Sequence, residues 1–262
     1  MTNEVTVKPK QTIATLAHDE TFANHLQELL GKRAPQFITS VLTLANSNID
    51  LNQCDPKEVF STCLKSASLD LPLDQNLGFA YVLPYKNYQT GKTTPQFQMG
   101  YKGFIQLAMR SGEYENIGVR EVYENEFQGY DEFTGEELVR FMPEDTRGEK
   151  IIGYVAYFIT LKGFRKRLYM SQENLDAHGA KYSKSYNKNN GIWKTEPDAM
   201  KKKTVLKLLL SRWGILSTQL QQAITDDQSD SEGNYIDRKP IIDITDAEMG
   251  ESEEERKNAT KE

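Results

Sequence analysis

Apolar residues in the first seventy positions recur three and four apart, the period of a helix with one buried face. Ile13, Leu16, Phe22, Leu26, Leu29 and Leu30 mark a helix over 11–31 that Gly31 stops, and Pro35 opens a second through Phe37, Ile38, Val41, Leu42 and Leu44. Asp55 and Pro56 suit the N-cap and first turn of a third, with Val59, Phe60, Cys63, Leu64 and Ala67 along it. From Leu77 the pattern becomes strand-like. "LGFAYVLPY" (77–85) and "PQFQMGY" (95–101) predict a hairpin across a polar connector, and a helix over 102–112 follows. Further strands are expected at 116–123, 137–142, 150–160 and 165–170, the last two antiparallel across Lys162-Gly163. A short helix over 171–181, a long one from an N-cap at Thr195 to Gly214, and "LSTQLQQAI" close the patterned part.

Helices, then strands with inserted helices, then helices give no regular βαβ alternation. The prediction is therefore α+β, with a small, mostly antiparallel sheet, packed helices and a helical N-terminal region. Residues 1–10 and an acidic C-terminal tail are expected to be disordered. The expected boundaries are a core over 11–225, in which 11–70 carries subunit contacts, and a tail over 226–262 with one apolar island, "KPIIDIT" (239–245).

The net charge of −6 hides a segregation that changes the picture. Lys162 to Arg212 holds 13 Lys and Arg against 4 Asp and Glu, whereas Asp226 to Glu262 holds 5 against 13. A basic block beside an acidic tail points to nucleic acid. Two cysteines without C-x-x-C spacing and three scattered histidines predict neither a disulfide framework nor a metal centre. No apolar run reaches membrane-spanning length and no signal peptide opens the chain, so the expected address is the cytoplasm, without a membrane partner.

The most concentrated signal is "AHGAKYSKSYNKNNGIWKT" (177–195). Lys181, Lys184, Lys188 and Lys194 alternate with Tyr182, Tyr186 and Trp193, and no acid interrupts them. Lysines neutralise phosphates and rings stack on bases, the footprint of a single-strand track, although an ordinary polar surface loop accounts for the segment equally well. In the helix that follows, Lys203, Lys207 and Ser211 share one side, opposite Leu206, Leu209, Leu210 and Trp213. Like charges four apart repel, and an anion against that row would relieve them, the alternative being a solvated lysine face. "GYKGF" (100–104) puts Lys102 at a helix start between two glycines, where a phosphate could approach backbone, although turn geometry explains the glycines equally well. Arg110 follows eight residues later.

No phosphate-binding G-x-x-x-x-G-K-[ST], H-E-x-x-H or G-x-S-x-G is present. ATP-driven strand exchange and triad hydrolysis therefore have no support, and no cofactor is expected. The acidic pairs Glu136-Glu137 and Asp226-Asp227 leave a metal-dependent nuclease as the rival reading, with a passive single-strand coat as a third.

Three stretches together carry a resemblance: "LDLPLDQNLGFAYVLPY", "QMGYKGFIQLAMRSG" and "GIWKTEPDAMKKKTVLKLLLSRW". Over roughly residues 20–225 the chain resembles the RecT family of phage and prophage recombinases. The resemblance implies a non-enzymatic, ATP-independent annealing protein. Such proteins bind single-stranded DNA and annealed duplex, and assemble as rings or helical filaments. They work beside a phage 5′–3′ exonuclease and the host single-strand-binding protein. It also implies a β-β-β-α core distantly similar to lambda Red beta, and DNA contact by Lys102, Arg110, Trp193, Lys202, Lys203 and Lys207. The tail would compete for the DNA groove or dock partners.

Overall fold

A computed structural model describes residues 11–86, 90–183, 185–187 and 191–229. Residues 1–10, the expected tail beyond Ser229 with its 239–245 island, and the loop residues Lys184 and Lys188 lie outside the described residues.

The N-terminal helices are α1 (Ile13–Ala17), α2 (Glu20–Leu30), α3 (Ala34–Ser47) and α4 (Pro56–Ser68). The single helix expected over 11–31 is two, because the Asp19 side chain accepts from the Phe22 N–H and starts a new helix. Asp55 caps α4 as anticipated. The apolar stripes of these helices turn inward: Leu26, Phe37, Val41, Leu44, Val59, Phe60 and Cys63 are all buried in the chain's own core.

Strands β1 (Ala80–Lys86) and β2 (Thr93–Met99) pair antiparallel, with Ala80 opposite Met99, and lead into α5 (Tyr101–Arg110). Strands β3 (Tyr114–Tyr123), β6 (Ile151–Thr160) and β7 (Arg165–Ser171) form an antiparallel sheet in that order. Between β3 and β6, β4 (Phe127–Tyr130) and β5 (Glu137–Val139) make a separate hairpin. Strand β4 was not anticipated; its burial alternates only weakly, so its periodicity gives little signal. The last helices are α6 (Gln172–Tyr182), α7 (Ile192–Thr195), α8 (Pro197–Trp213) and α9 (Thr218–Ser229). Thr195 ends α7 instead of capping α8, whose N-cap position is Glu196.

Helix α8 is the hub. It packs against β3, β6, β7, α5 and α7, and Val205, Leu206, Leu208, Leu209 and Leu210 are buried along it. The sheet meets it with Ile117, Val119, Ala156, Phe158, Leu168 and Met170, and the Tyr154 hydroxyl donates to Asp198 in its first turn. The α+β prediction and the antiparallel pairing hold. The boundary expected after residue 225 falls inside α9, which runs on to Ser229.

Candidate nucleic-acid interface

The lysine row of α8 has its anion, and the anion belongs to the same chain. Asp227, on α9, is buried between Lys203 and Lys207: each ammonium stands 2.6 Å from one carboxylate oxygen. The oxygen that meets Lys203 also accepts the Met99 N–H at 3.0 Å, which ties α9 to the end of β2. Burial alone would raise the Asp227 carboxyl, but the two ammonium groups override it and hold the group well below the usual carboxylate range. The other lysines of the cluster are also engaged. Lys201 meets Asp176 at 3.2 Å and donates to Gln172, and Lys202 meets Glu121 at 2.5 Å. The expectation that Lys203 and Lys207 face a DNA phosphate is thus replaced by an internal ion triad. Angular counting along α8 finds the row but not the helix that covers it.

The "GYKGF" glycines have the structural explanation. A Cβ on Gly100 would sit 2.0 Å from the Gly78 carbonyl oxygen, and one on Gly103 would sit 2.2 Å from that of Phe79. The start of α5 is pressed onto the backbone before β1, where the Gly100 N–H donates to Phe79 at 2.9 Å. Lys102 points outward from this junction and is exposed. Arg110 does not join it. Its guanidinium donates to the carbonyls of Leu69 and Asp70 at 3.1 and 2.8 Å, closing the C-terminal end of α4 where Asp70 takes φ 51°. Arg110 is a cap, in place of the expected DNA contact.

In the lysine- and ring-rich segment the rings part company. Trp193 is buried, and Tyr186 meets it edge to face at 5.5 Å. Both rest on Gly179, where a Cβ would lie 2.6 Å from the Tyr186 ring and 3.1 Å from Trp193. These two rings anchor the segment to α6; Trp193 is enclosed there, away from the stacking role expected of it, and Tyr186 is half-buried. Tyr182 is the ring that stays outside, 54% exposed, with the Lys181 ammonium 5.2 Å from its centroid. Lys194 is exposed as well. His178 lies 4.6 Å from the Tyr182 ring; burial, then the charges of Lys207, Lys181 and Arg212, push its pKa down to about 4. Burial first, and the neighbouring cations second, thus hold this histidine neutral. Of the predicted set, then, Lys102, Lys181, Tyr182 and Lys194 face solvent, Lys202 is ion-paired, and Arg110, Tyr186, Trp193, Lys203 and Lys207 serve the fold.

One cationic element was counted in the basic block but not singled out as a site. From Ile151 to Gln172 the chain carries Lys162, Arg165, Lys166 and Arg167 and no Asp or Glu. Lys166 meets Glu136 at 2.6 Å, whereas Arg165 and Lys162 are exposed. The signal was available in the acid-free run, but periodicity marked these residues only as strand. Of the four carboxylates on which a nuclease reading depended, Glu136 pairs with Lys166 and Asp227 with its two lysines.

A model of the RecT family matches residues 35–242. The chain is 40% identical over 246 residues to the uncharacterized protein YqaK of Bacillus subtilis, covering 92% of this chain and 82% of that one. It is 27% identical over 213 residues to Protein RecT of Escherichia coli, covering 78% and 77% respectively.

Proposed function

This chain belongs to the RecT family, and on that premise we propose that it is a single-strand annealing protein of homologous recombination. The observation that carries the reading is the length of the family match, which begins at the second residue of α3 and runs past α9. The protein binds single-stranded DNA along its backbone and pairs it with a complementary strand, without covalent chemistry and without ATP. Phosphate contacts position a strand but carry no sequence information, so the complement supplies specificity. Stacking of about 1.4 kcal/mol per base-pair step drives the product. The first strand runs along the exposed Lys181, Tyr182 and Lys194 of the α6–α7 edge, with Lys102 as a further phosphate contact and Lys184 and Lys188 contributing by composition. Copies assemble as a ring or filament, and the N-terminal helices contribute outward residues such as Leu29 and Ile49. The setting is the cytoplasm of a bacterial host, beside a 5′–3′ exonuclease and a single-strand-binding protein.

The test mixes complementary labelled oligonucleotides with the full chain, in magnesium and without nucleotide. Duplex should form faster than with oligonucleotides alone, and strand lengths should not change. Shortened strands would establish the nuclease, and protection without acceleration would establish a passive coat. Lys181→Ala with Lys194→Ala should weaken binding of every sequence and flatten the salt slope by about 1.4, at about 0.7 per lost phosphate contact on a single strand. An unchanged slope would remove the α6–α7 edge from the site.

A further inference from the structure

The two faces of the three-stranded sheet have different fates. Side chains alternate along a strand, so the cross-strand register sorts them. Glu121 and Tyr154 point to the face that α8 covers, through Lys202 and Asp198. Helix α6, held to Lys201 through Asp176, and α7 pack with α8. On the opposite face the rows are Asn116–Ile159–Arg165, Gly118–Tyr157–Arg167 and Arg120–Val155–Tyr169. Residues 127–141 cover only the last of these. Phe127 stacks on Tyr169 with centroids 4.9 Å apart, and Phe141 lies 3.8 Å beneath the Arg120 guanidinium.

Among the described residues the first row is open at its two ends, and the second is half-buried, with the hairpin's Asp131 and Glu137 near Arg167. Asn116 and Arg165 are exposed, and Tyr157, Ile159 and Arg167 are half-buried. The hydroxyl end of the Tyr157 ring lies over Gly118, where a Cβ would fall 2.7 Å from its hydroxyl and 2.9 Å from the ring carbon bearing it, so a larger residue there would displace the ring. Arg165 and Arg167 stand two residues apart on one strand, about 7 Å, within reach of neighbouring phosphates of one polynucleotide. The Arg167 Nε is buried without a hydrogen-bond partner among the described residues. Asp131 and Glu137 feel its charge, but neither forms an ion pair with it. At the turn beyond, Lys162 is exposed beside Phe164, itself half exposed. Guanidinium groups, an ammonium and rings interleaved along the acid-free run of β6, its turn and β7 form a chemistry suited to a sugar–phosphate chain with unstacked bases.

We propose that this open half-face, with the β6–β7 turn, is a second polynucleotide contact that tethers an incoming strand to a protein already holding one along the α6–α7 edge. The proposal rests on the annealing reading and adds the second surface. Holding both strands on one assembly raises the effective concentration of the complement, which a single track does not.

The experiment uses the full chain with Arg165→Ala and Arg167→Ala together, and Arg165→Lys with Arg167→Lys as the charge-preserving control. Three quantities are read: affinity for one labelled oligonucleotide, capture of a second, non-complementary labelled strand by the preformed complex, and annealing rate. The alanine pair should leave the first within about twofold and lower the other two about tenfold. The salt slope of capture should fall by about 1.4 for two lost contacts. The lysine pair should retain capture. Lys162→Ala, which removes only an exposed side chain, should lower capture in the same direction and guards against a folding defect in the pair. Capture unchanged in the alanine pair would overturn the proposal. So would an equal loss of first-strand affinity, which would merge the face with the α6–α7 edge, or intact capture with a changed assembly mass by light scattering, which would make it a protein contact. A wild-type protein that captures a second strand but anneals nothing would count against the annealing reading and leave the surface standing.

Discussion

Asp227→Asn separates an internal role for the α8 lysines from a DNA-binding one. The substitution keeps the shape and an oxygen able to accept the Met99 N–H, and removes only the charge between Lys203 and Lys207. Removing one partner of a buried ion pair costs about 3–5 kcal/mol, because the remaining charge is left uncompensated. Two ammonium groups lose their partner here, at 2.6 Å each, with side chains only 11% and 19% exposed. Lys207 can turn partly to water and the retained hydrogen bond softens the loss, so the lower end, about 3 kcal/mol, is expected. For a core of this size, about 2–4 °C per kcal/mol gives a melting temperature lower by about 6–12 °C. The assay is thermal and urea unfolding of wild type, Asp227→Asn, Lys203→Gln and the double variant, whose cycle isolates the Lys203–Asp227 coupling. The folded carboxyl titrates below its unfolded value. Its contribution is therefore present above the unfolded pKa, about 3.9, and is lost as pH falls below it. The gap between wild type and Asp227→Asn should stay constant from neutral pH down to about 5 and narrow below about 4. A variant that melts with wild type, yet binds oligonucleotides more tightly with a steeper salt slope, would refute this reasoning and return both lysines to the DNA site.

Truncation after Thr225 should destabilise the protein as Asp227→Asn does, whereas truncation after Ser231 should leave the melting temperature unchanged; equal behaviour would mean that α9 contributes nothing beyond residue 225. Trp193→Ala should cost about 3–5 kcal/mol by urea unfolding, as for a buried ring, while Tyr182→Ala should leave stability intact and weaken oligonucleotide binding; the reverse pattern would restore Trp193 as the stacking ring. His178 is held neutral in the folded protein, with a pKa of about 4, so folding stability should fall as pH drops from about 6.5, the unfolded value, towards 4. His178→Gln should flatten that part of the profile, and an unchanged profile would show the imidazole to be solvated.

Local signals carried much of the fold. Asp55 before Pro56 marked the start of α4, β-branched and aromatic residues marked β6, and Gly214 marked the end of α8, because caps, turns and local residue preferences are written within a few consecutive residues. The candidate site was legible in part. Lys181, Tyr182, Lys194 and Lys102 are exposed as their polarity suggests, and the repulsion along Lys203 and Lys207 correctly called for an anion. What could not be read was where that anion comes from. Asp227 sits in an acidic stretch that composition assigns to a tail, and only the packing of α9 across α8 and β2 buries it between two lysines. The same holds for Trp193 and Tyr186, whose aromatic character suits a base or a protein core equally, and for Arg110, whose partners lie about forty residues away. Residue type and spacing determined which groups bind anions, stack or pack. Tertiary structure alone decided which of them meet each other and which are left to solvent, because charge neutralisation and ring burial depend on distances through space between segments far apart in the chain.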